Sequence, residues 1–160
     1  RSGLYEQSVA WYQTVLAADL VFADSFITFL TYDDEHHRIA IVNTPDVAGQ
    51  DHKQAGLEHV AFTFSDLGRL LGTYKRLKGQ GITPYWCINH GPTTSLYYQD
   101  PDGTRVELQI DNFPDQASLM AWFNSGAFQK NPIGVEFDPD HLVARYEDGV
   151  PISDLIVRKD

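Results

Sequence analysis

The sequence predicts an α+β fold built from two related modules, each with one helix followed by three strands. Hydrophobic spacing changes from a helical period to a strand period at two places, and the order helix, strand, strand, strand recurs. The length of 160 residues suits one domain with a hydrophobic core. We therefore expect residues 1–160 to form a single domain that contains both modules and a C-terminal tail.

The first module spans residues 1–44. Apolar residues over Leu4–Ala17 recur at helical spacing, which predicts an amphipathic helix lying on a sheet. Three short strands are expected after it, at Leu20–Ala23, Phe26–Tyr32 and His37–Asn43. Because the chain opens without Met and almost at once inside the helix, we expect the first strand of this module to be missing and to lie upstream of Arg1. The segment Thr44–Gly56 is rich in Pro, Gly and polar residues and is predicted to be a connector.

The second module, residues 57–111, has the complete order β-α-β-β-β. Its opening strand is predicted at Leu57–Phe64, and its helix begins at Ser65 or Asp66, either of which can cap it. Glycines at positions 79 and 81 are the stop signals of this helix. Three strands complete the module, at Thr83–Asn89, Ser95–Gln99 and Arg105–Asp111.

Residues 112–160 form a helical tail that belongs to neither module. Two short helices are predicted in it, near residues 115–124 and 138–146. They either pack over a sheet edge or serve as a lid or a dimer contact, and the sequence does not separate these alternatives.

The last two predicted strands carry polar side chains on one face only. The turn Asp100-Pro101-Asp102-Gly103 joins them, since Pro fixes φ and Gly accepts a positive φ. Alternation along the final strand separates Val106, Leu108 and Ile110 from Arg105, Glu107 and Gln109. Leu96 and Tyr98 are separated from Ser95 and Tyr97 in the same way. This pattern predicts a sheet with one apolar face and one polar face, which borders either a polar cavity or solvent.

The composition excludes several classes of partner. The net charge of −10, from 22 acidic and 12 basic residues, disfavours nucleic acid and anionic membrane surfaces. No apolar run approaches the length of a transmembrane helix. The single cysteine, Cys87, cannot form an internal disulfide, so we expect a reducing, cytoplasmic location and a small buried thiol.

His59 and Glu107 are the residues whose surroundings least suit them. His59 lies on the polar-facing alternation of an otherwise apolar strand, where a lone His is more often a half-buried structural residue. Glu107 lies between Val106 and Leu108, and a buried carboxylate needs solvent, a cation or a metal. Arg105, two residues away on the same face, offers an ordinary salt bridge instead.

The stretch from His90 to Glu107 resembles the extradiol ring-cleavage dioxygenases of the vicinal oxygen chelate superfamily. The match consists of His90, Leu96-Tyr97, Asp100-Pro101, Gly103 and Glu107 at compatible spacings. The resemblance implies paired β-α-β-β-β modules that form a curved sheet around a metal cavity, with helices outside. It also implies an enzyme that opens the ring of a catechol-type aromatic, such as a biphenyl-2,3-diol, with O2.

The same resemblance implies roles for individual residues. His59 and Glu107 would bind Fe(II), in a facial triad of two His and one carboxylate. His90 and Tyr97 would contact the substrate, and His37, the second member of His36-His37, would be the acid–base group. The family takes its first iron ligand from a His on the opening strand of the first module, so we expect the third ligand upstream of Arg1. We also expect a homo-oligomer.

Three other functions compete with this one. A glyoxalase-type isomerase or lyase would need an acidic ligand on the last strand of the first module, and Arg38–Val42 contains none. A metal-free, drug-sequestering module of the same fold needs a cavity but gives no reason to combine the His, Tyr and Glu residues named above. A degenerate subunit that lost its metal with its first strand is the third alternative.

Overall fold

The computed structural model describes residues 1–160, and it has the mixed α+β composition that the sequence predicts. Its elements in chain order are α1 (Tyr5–Leu16), β1 (Asp19–Ala23), β2 (Ile27–Thr31), β3 (Ile39–Val42), β4 (Val60–Thr63), α2 (Leu67–Lys78), β5 (Trp86–Asn89), β6 (Thr93–Gln99), β7 (Arg105–Asp111), α3 (Gln116–Asn124), α4 (Ala127–Lys130), β8 (Val135–Glu136), α5 (Pro139–Glu147) and α6 (Ile152–Ile156). Each predicted strand and helix is present. None of the helices is both long and apolar enough to span a bilayer.

Contacts divide the chain into two compact units. The first unit contains Arg1–His59 and Gln99–Val106, and the second contains Val60–Tyr98 and Glu107–Asp160. The division into modules at residues 1–44 and 57–111, with a tail at 112–160, stays a prediction.

In the first unit, α1 covers a three-stranded antiparallel sheet of order β1-β2-β3. The core forms around Ala18, Leu30 and Ile41. Apolar residues of α1 and β3 pack against this core because they recur on one side of their elements: Tyr5, Val9, Tyr12, Leu16 and Ile39. Strand β1 lies at the sheet edge, and all five of its residues are exposed. The helix and three strands predicted for the first module are therefore confirmed.

Helix α1 obtains its N-terminal cap from a distant turn. Its N-cap residue, Leu4, offers no capping side chain. The carboxylate of Asp102 instead accepts the backbone N–H groups of Gly3 at 2.9 Å and Leu4 at 3.2 Å. It also accepts the hydroxyls of Ser2 and Ser8, the latter at 2.8 Å. Burial acts to raise the pKa of Asp102, but these hydrogen bonds outweigh it and hold the pKa below its usual value.

The second unit contains a five-stranded sheet of order β4-β7-β6-β5-β8. Strands β4 and β7 are neighbours in one sheet, as the predicted module requires. Asp66 caps α2 by accepting the backbone N–H of Arg69 at 2.8 Å, and Gly79 ends it. The apolar alternation of the sheet is buried as predicted, at Leu96, Tyr98, Val106, Leu108 and Ile110. One face of α2 is buried with it, at Leu67, Leu70, Leu71, Tyr74 and Leu77.

Three predicted strands begin later than the sequence suggested. Strand β3 begins at Ile39, because Arg38 pairs with Asp33 at 2.8 Å and closes a hairpin loop that contains His37. Strand β4 begins at Val60, since the carbonyl of Leu57 accepts a hydrogen bond from the Gln50 side chain at 2.7 Å. Strand β5 begins at Trp86, after Pro84, which lacks the N–H that a sheet ladder uses.

The tail holds the two predicted helices as α3 and α5, and three elements that the sequence did not indicate: α4, β8 and α6. Strand β8 is only two residues long, too short for a periodic signal. It pairs with β5 through Ile88–Glu136 and Asn89–Val135, and so it forms one edge of the sheet.

Replacing Asp102 with Ala should destabilise the protein by about 1–3 kcal/mol, because Ser2 and Ser8 are buried and would lose their acceptor. Chemical denaturation at neutral pH measures this. Asp46→Ala, at an exposed acidic position in the same unit, is the control and should be close to neutral. Equal stability of the two variants would contradict the capping role.

The same carboxylate should contribute to acid lability. Because folding lowers the pKa of Asp102, its stabilisation is present above the ordinary Asp pKa of about 3.9 and is lost as the pH falls through the lowered value. Asp102→Asn should therefore lose less stability than the wild type between neutral and acid pH. The same loss of unfolding free energy in both proteins as the pH falls would contradict this.

Candidate functional site

Three side chains form a row across the polar face of the second unit. Hydrogen bonds at both ends of the β6–β7 ladder fit a single register: Asp100 N to Thr104 O at 2.9 Å and Asn112 N to Pro92 O at 2.8 Å. That register places Tyr97 opposite Glu107, and the register of β5 with β6 places Trp86 opposite Tyr97. Directly paired residues point to the same face of a sheet. Trp86, Tyr97 and Glu107 therefore face the same side, as predicted for Tyr97 and Glu107.

Glu107 is the buried acid of this row, with 4% of its surface exposed. A carboxylate at this depth is costly unless a cation, a metal or hydrogen-bond donors compensate it. Arg105, the salt-bridge alternative from the sequence, forms an ion pair with Glu58. One strand further along the sheet, Gln109 donates a hydrogen bond to the Thr63 hydroxyl at 3.1 Å. The odd-numbered positions of β4 and β7 therefore share a face.

His90, at the end of β5, holds Tyr97 directly. Its Nε2 lies 3.0 Å from the Tyr97 hydroxyl, and its Nδ1 is hydrogen-bonded to the carbonyl of Ile133. Trp86 completes the group, with its ring 5.0 Å from that of Tyr97 and 5.7 Å from that of His90, between centroids. The Trp86 indole N–H is fixed by the Glu136 carboxylate at 2.7 Å. The structure thus brings together His90 and Tyr97, the two predicted substrate contacts.

His37 lies in the first unit, in the loop before β3. Its ring stacks on Phe29 at 4.8 Å and meets the His36 ring edge-on at 4.3 Å. The Nδ1 atom of His37 is buried and has no hydrogen-bond partner. His36, by contrast, is exposed.

His59 directly precedes β4, and it belongs to the first unit. Within residues 1–160, no three or more His, Cys, Asp or Glu side chains are grouped so that they could hold a metal ion. The assignments of His59 and Glu107 as ligands, and of His37, His90 and Tyr97 as catalytic groups, stay predictions.

Sequence reasoning missed two contributors to the surroundings of His90. Arg158, with a side chain only 3% exposed, donates a hydrogen bond to the His90 carbonyl at 3.0 Å. Ile133 contributes its backbone carbonyl, for which no residue type gives a signal. Arg is mostly exposed in proteins, so the sequence gives no signal for this buried one.

Comparison with known proteins identifies the family. The model of the Glyoxalase/Bleomycin resistance protein/Dioxygenase superfamily matches residues 1–108. The chain is 46% identical over 150 residues to biphenyl-2,3-diol 1,2-dioxygenase 2 of Rhodococcus globerulus, covering 93% of this chain and 79% of that protein. It is 43% identical over 150 residues to biphenyl-2,3-diol 1,2-dioxygenase 3 of the same organism, covering 92% and 79%.

Solved structures support the fold alone, at low identity. Lactoylglutathione lyase from Agrobacterium tumefaciens aligns with a TM-score of 0.53 and 16% identity, covering 68% of this chain and 87% of that one. A glyoxalase/bleomycin resistance protein/dioxygenase from Alicyclobacillus acidocaldarius aligns with a TM-score of 0.54 and 16% identity, covering 69% and 85%.

The chain therefore belongs to the glyoxalase/bleomycin resistance protein/dioxygenase superfamily. Within it, the two Rhodococcus relatives place the chain among the extradiol dioxygenases, enzymes that use a metal cofactor.

Cys87 should react slowly with thiol reagents. Burial raises the pKa of Cys87 to about 12, and the carboxylates of Asp138 and Glu136 add to the rise, so little thiolate forms near neutral pH. Alkylation of the native protein should be at least about tenfold slower than that of the same chain in denaturant. Because Cys87 is the only cysteine, the rate of total thiol modification measures the reactivity of this residue alone. Equal rates in the two states would contradict the assignment.

Proposed function

We propose that this protein cleaves the ring of a catechol-type aromatic, with biphenyl-2,3-diol as the model substrate, and inserts both atoms of O2 next to the diol. The observation that carries the proposal is the buried Glu107 beside Tyr97, whose hydroxyl lies 3.0 Å from His90. The substrate class follows the names of the two Rhodococcus relatives. The two adjacent oxygens of such a diol can chelate a metal and can also accept hydrogen bonds from side chains.

We infer that the metal is Fe(II) and that Glu107 and His59 bind it. A carboxylate oxygen and an imidazole nitrogen are two of the three donors in the facial triad typical of non-haem Fe(II) oxygenases. When bound, Fe(II) supplies the electron pathway from the diol to O2, which otherwise reacts poorly with a closed-shell ring.

His90 and Tyr97 are proposed to hold a substrate oxygen. The Tyr97 hydroxyl and the His90 ring lie within one hydrogen bond of each other, and Trp86 packs against both rings. The Trp86 face offers an aromatic surface for the ring of the substrate. Tyr97 is itself only 5% exposed, so most of its side chain is removed from water.

His37 is proposed to move a proton to and from the substrate. Its buried Nδ1 has no partner in the protein, and the stacked Phe29 ring fixes the imidazole plane. In the complex with substrate, a general acid–base group must come within hydrogen-bond reach of the proton that it transfers. The isomerase alternative has no comparable support, since β3, Ile39–Val42, contains no acidic residue.

Replacing Glu107 with Ala in the full-length protein should remove bound iron, because the carboxylate is a proposed ligand. Iron content after anaerobic loading is the measurement. Asp111→Ala changes an exposed acid on the same strand and should retain iron. Stoichiometric iron in Glu107→Ala would exclude Glu107 as a ligand.

His37→Gln should retain iron but lose turnover by roughly 10²–10⁴-fold, the usual contribution of an acid–base group. The coloured ring-fission product formed from biphenyl-2,3-diol reports the rate. His36→Gln alters the exposed neighbour and should remain active. Normal activity of the His37 variant would end its assigned role. A wild-type protein fully loaded with iron that turns over no catechol would end the dioxygenase proposal.

A further inference from the structure

We propose that the tail loop Asn131–Gly134, clamped by Arg158, is a positioning device that fixes one tautomer of His90 and thereby the direction of the His90–Tyr97 hydrogen bond. The functional importance of this device rests on the proposed function, in which His90 and Tyr97 hold the substrate. Its existence rests on geometry alone, and every residue in it belongs to the second unit.

The two partners of the His90 ring decide where its proton lies. The carbonyl oxygen of Ile133 only accepts hydrogen bonds, so the Nδ1 atom that contacts it must carry hydrogen. A neutral imidazole then has its lone pair on Nε2. The Tyr97 hydroxyl, 3.0 Å from Nε2, therefore donates its hydrogen to His90. A phenol oxygen that donates its hydrogen keeps the capacity to accept one.

The loop is built to hold the Ile133 carbonyl in place. The Asn131 side-chain oxygen accepts the backbone N–H of Ile133 at 3.2 Å and that of Gly134 at 2.8 Å. The Asn131 amide group donates in turn to the Gly134 carbonyl at 2.9 Å and to Asp160 at 3.1 Å. The Asn131 side chain thus bridges three backbone groups of the loop.

Gly134 lets the loop lie directly against the end of β5. Its φ is +122°, and a Cβ atom there would lie 2.4 Å from the carbonyl oxygen of Asn89 and 2.9 Å from the Cα of His90. Only glycine permits this approach. Val135, the next residue, pairs with Asn89 and continues the contact as β8.

Arg158 joins the loop to the backbone of His90. Its Nη1 donates to the carbonyls of His90 at 3.0 Å and Asn131 at 2.9 Å. Its Nη2 donates to Ala127 at 3.1 Å, and the guanidinium lies 5.1 Å from the Trp122 ring. The Arg158 side chain is 3% exposed, is bound to three backbone carbonyls and also pairs with Asp160 at 2.9 Å. It holds the loop and His90 in one fixed arrangement.

The tautomer of His90 can be measured directly by NMR. In metal-free protein labelled with nitrogen-15 histidine, His90 at mildly alkaline pH should show a protonated Nδ1 and an unprotonated Nε2, with the signals assigned by their loss in His90→Gln. Gly134→Ala should lose this signature, because the added Cβ pushes the Ile133 carbonyl away. Gly149→Ala is the matched control: Gly149 also has a positive φ, +79°, but no atom lies within 4 Å of its Cβ position.

Asn131→Ala and Arg158→Lys keep the test decisive if Gly134→Ala folds poorly. Each leaves Ile133 in the chain but removes part of the clamp, and each should shift His90 away from the Nδ1–H form. In iron-loaded enzyme, kcat/KM should fall roughly 10²-fold with iron content unchanged, as for a displacement of about 1 Å. A wild-type His90 protonated at Nε2, or an unchanged tautomer in folded Gly134→Ala, overturns the proposal. Because the spectrum needs neither iron nor substrate, failure of the dioxygenase proposal leaves this result intact.

Discussion

The two-residue period of a β-strand is the constraint on which the candidate site depends. On β7 it sends Val106 and Leu108 into the apolar core and Glu107 to the opposite face. Since both neighbours of Glu107 are anchored by burial, the carboxylate cannot turn away without a register shift that would expose them. The core therefore holds the Glu107 side chain in place, and the same ladder sets Tyr97 and Trp86 beside it. Hydrophobic packing on one face positions the chemistry on the other.

Strong local signals made most of the fold predictable. The alternation around Glu107, the turn at Asp100–Gly103 and the stop of α2 at Gly79 each depend on neighbouring residues, and each is found as expected. The late start of β4 was not predictable in this way. It depends on the hydrogen bond from Gln50 to Leu57, and nothing in an apolar strand pattern indicates such a contact.

The candidate site was predictable only where residue type carries information. His90 and Tyr97 stood out by the family pattern and the structure joins them, whereas the groups that hold His90 are a backbone carbonyl and an Arg 68 positions further along the chain. Backbone groups have no residue signature, and a buried Arg looks like a surface Arg until the fold is known. Long-range polar contacts to the main chain are therefore the part of the site that cannot be predicted from a single sequence.

The capping of α1 by Asp102 has a consequence for the order in which the chain can fold. The first unit is discontinuous, and the hydrogen bond from Ser2 to Asp102 spans 100 residues. During synthesis, α1 and its sheet emerge long before the carboxylate that completes the helix start. The contacts of Ser2 and Ser8 with Asp102 can form only after the turn at residue 102 has been synthesised, and contacts so distant in sequence are slow to form.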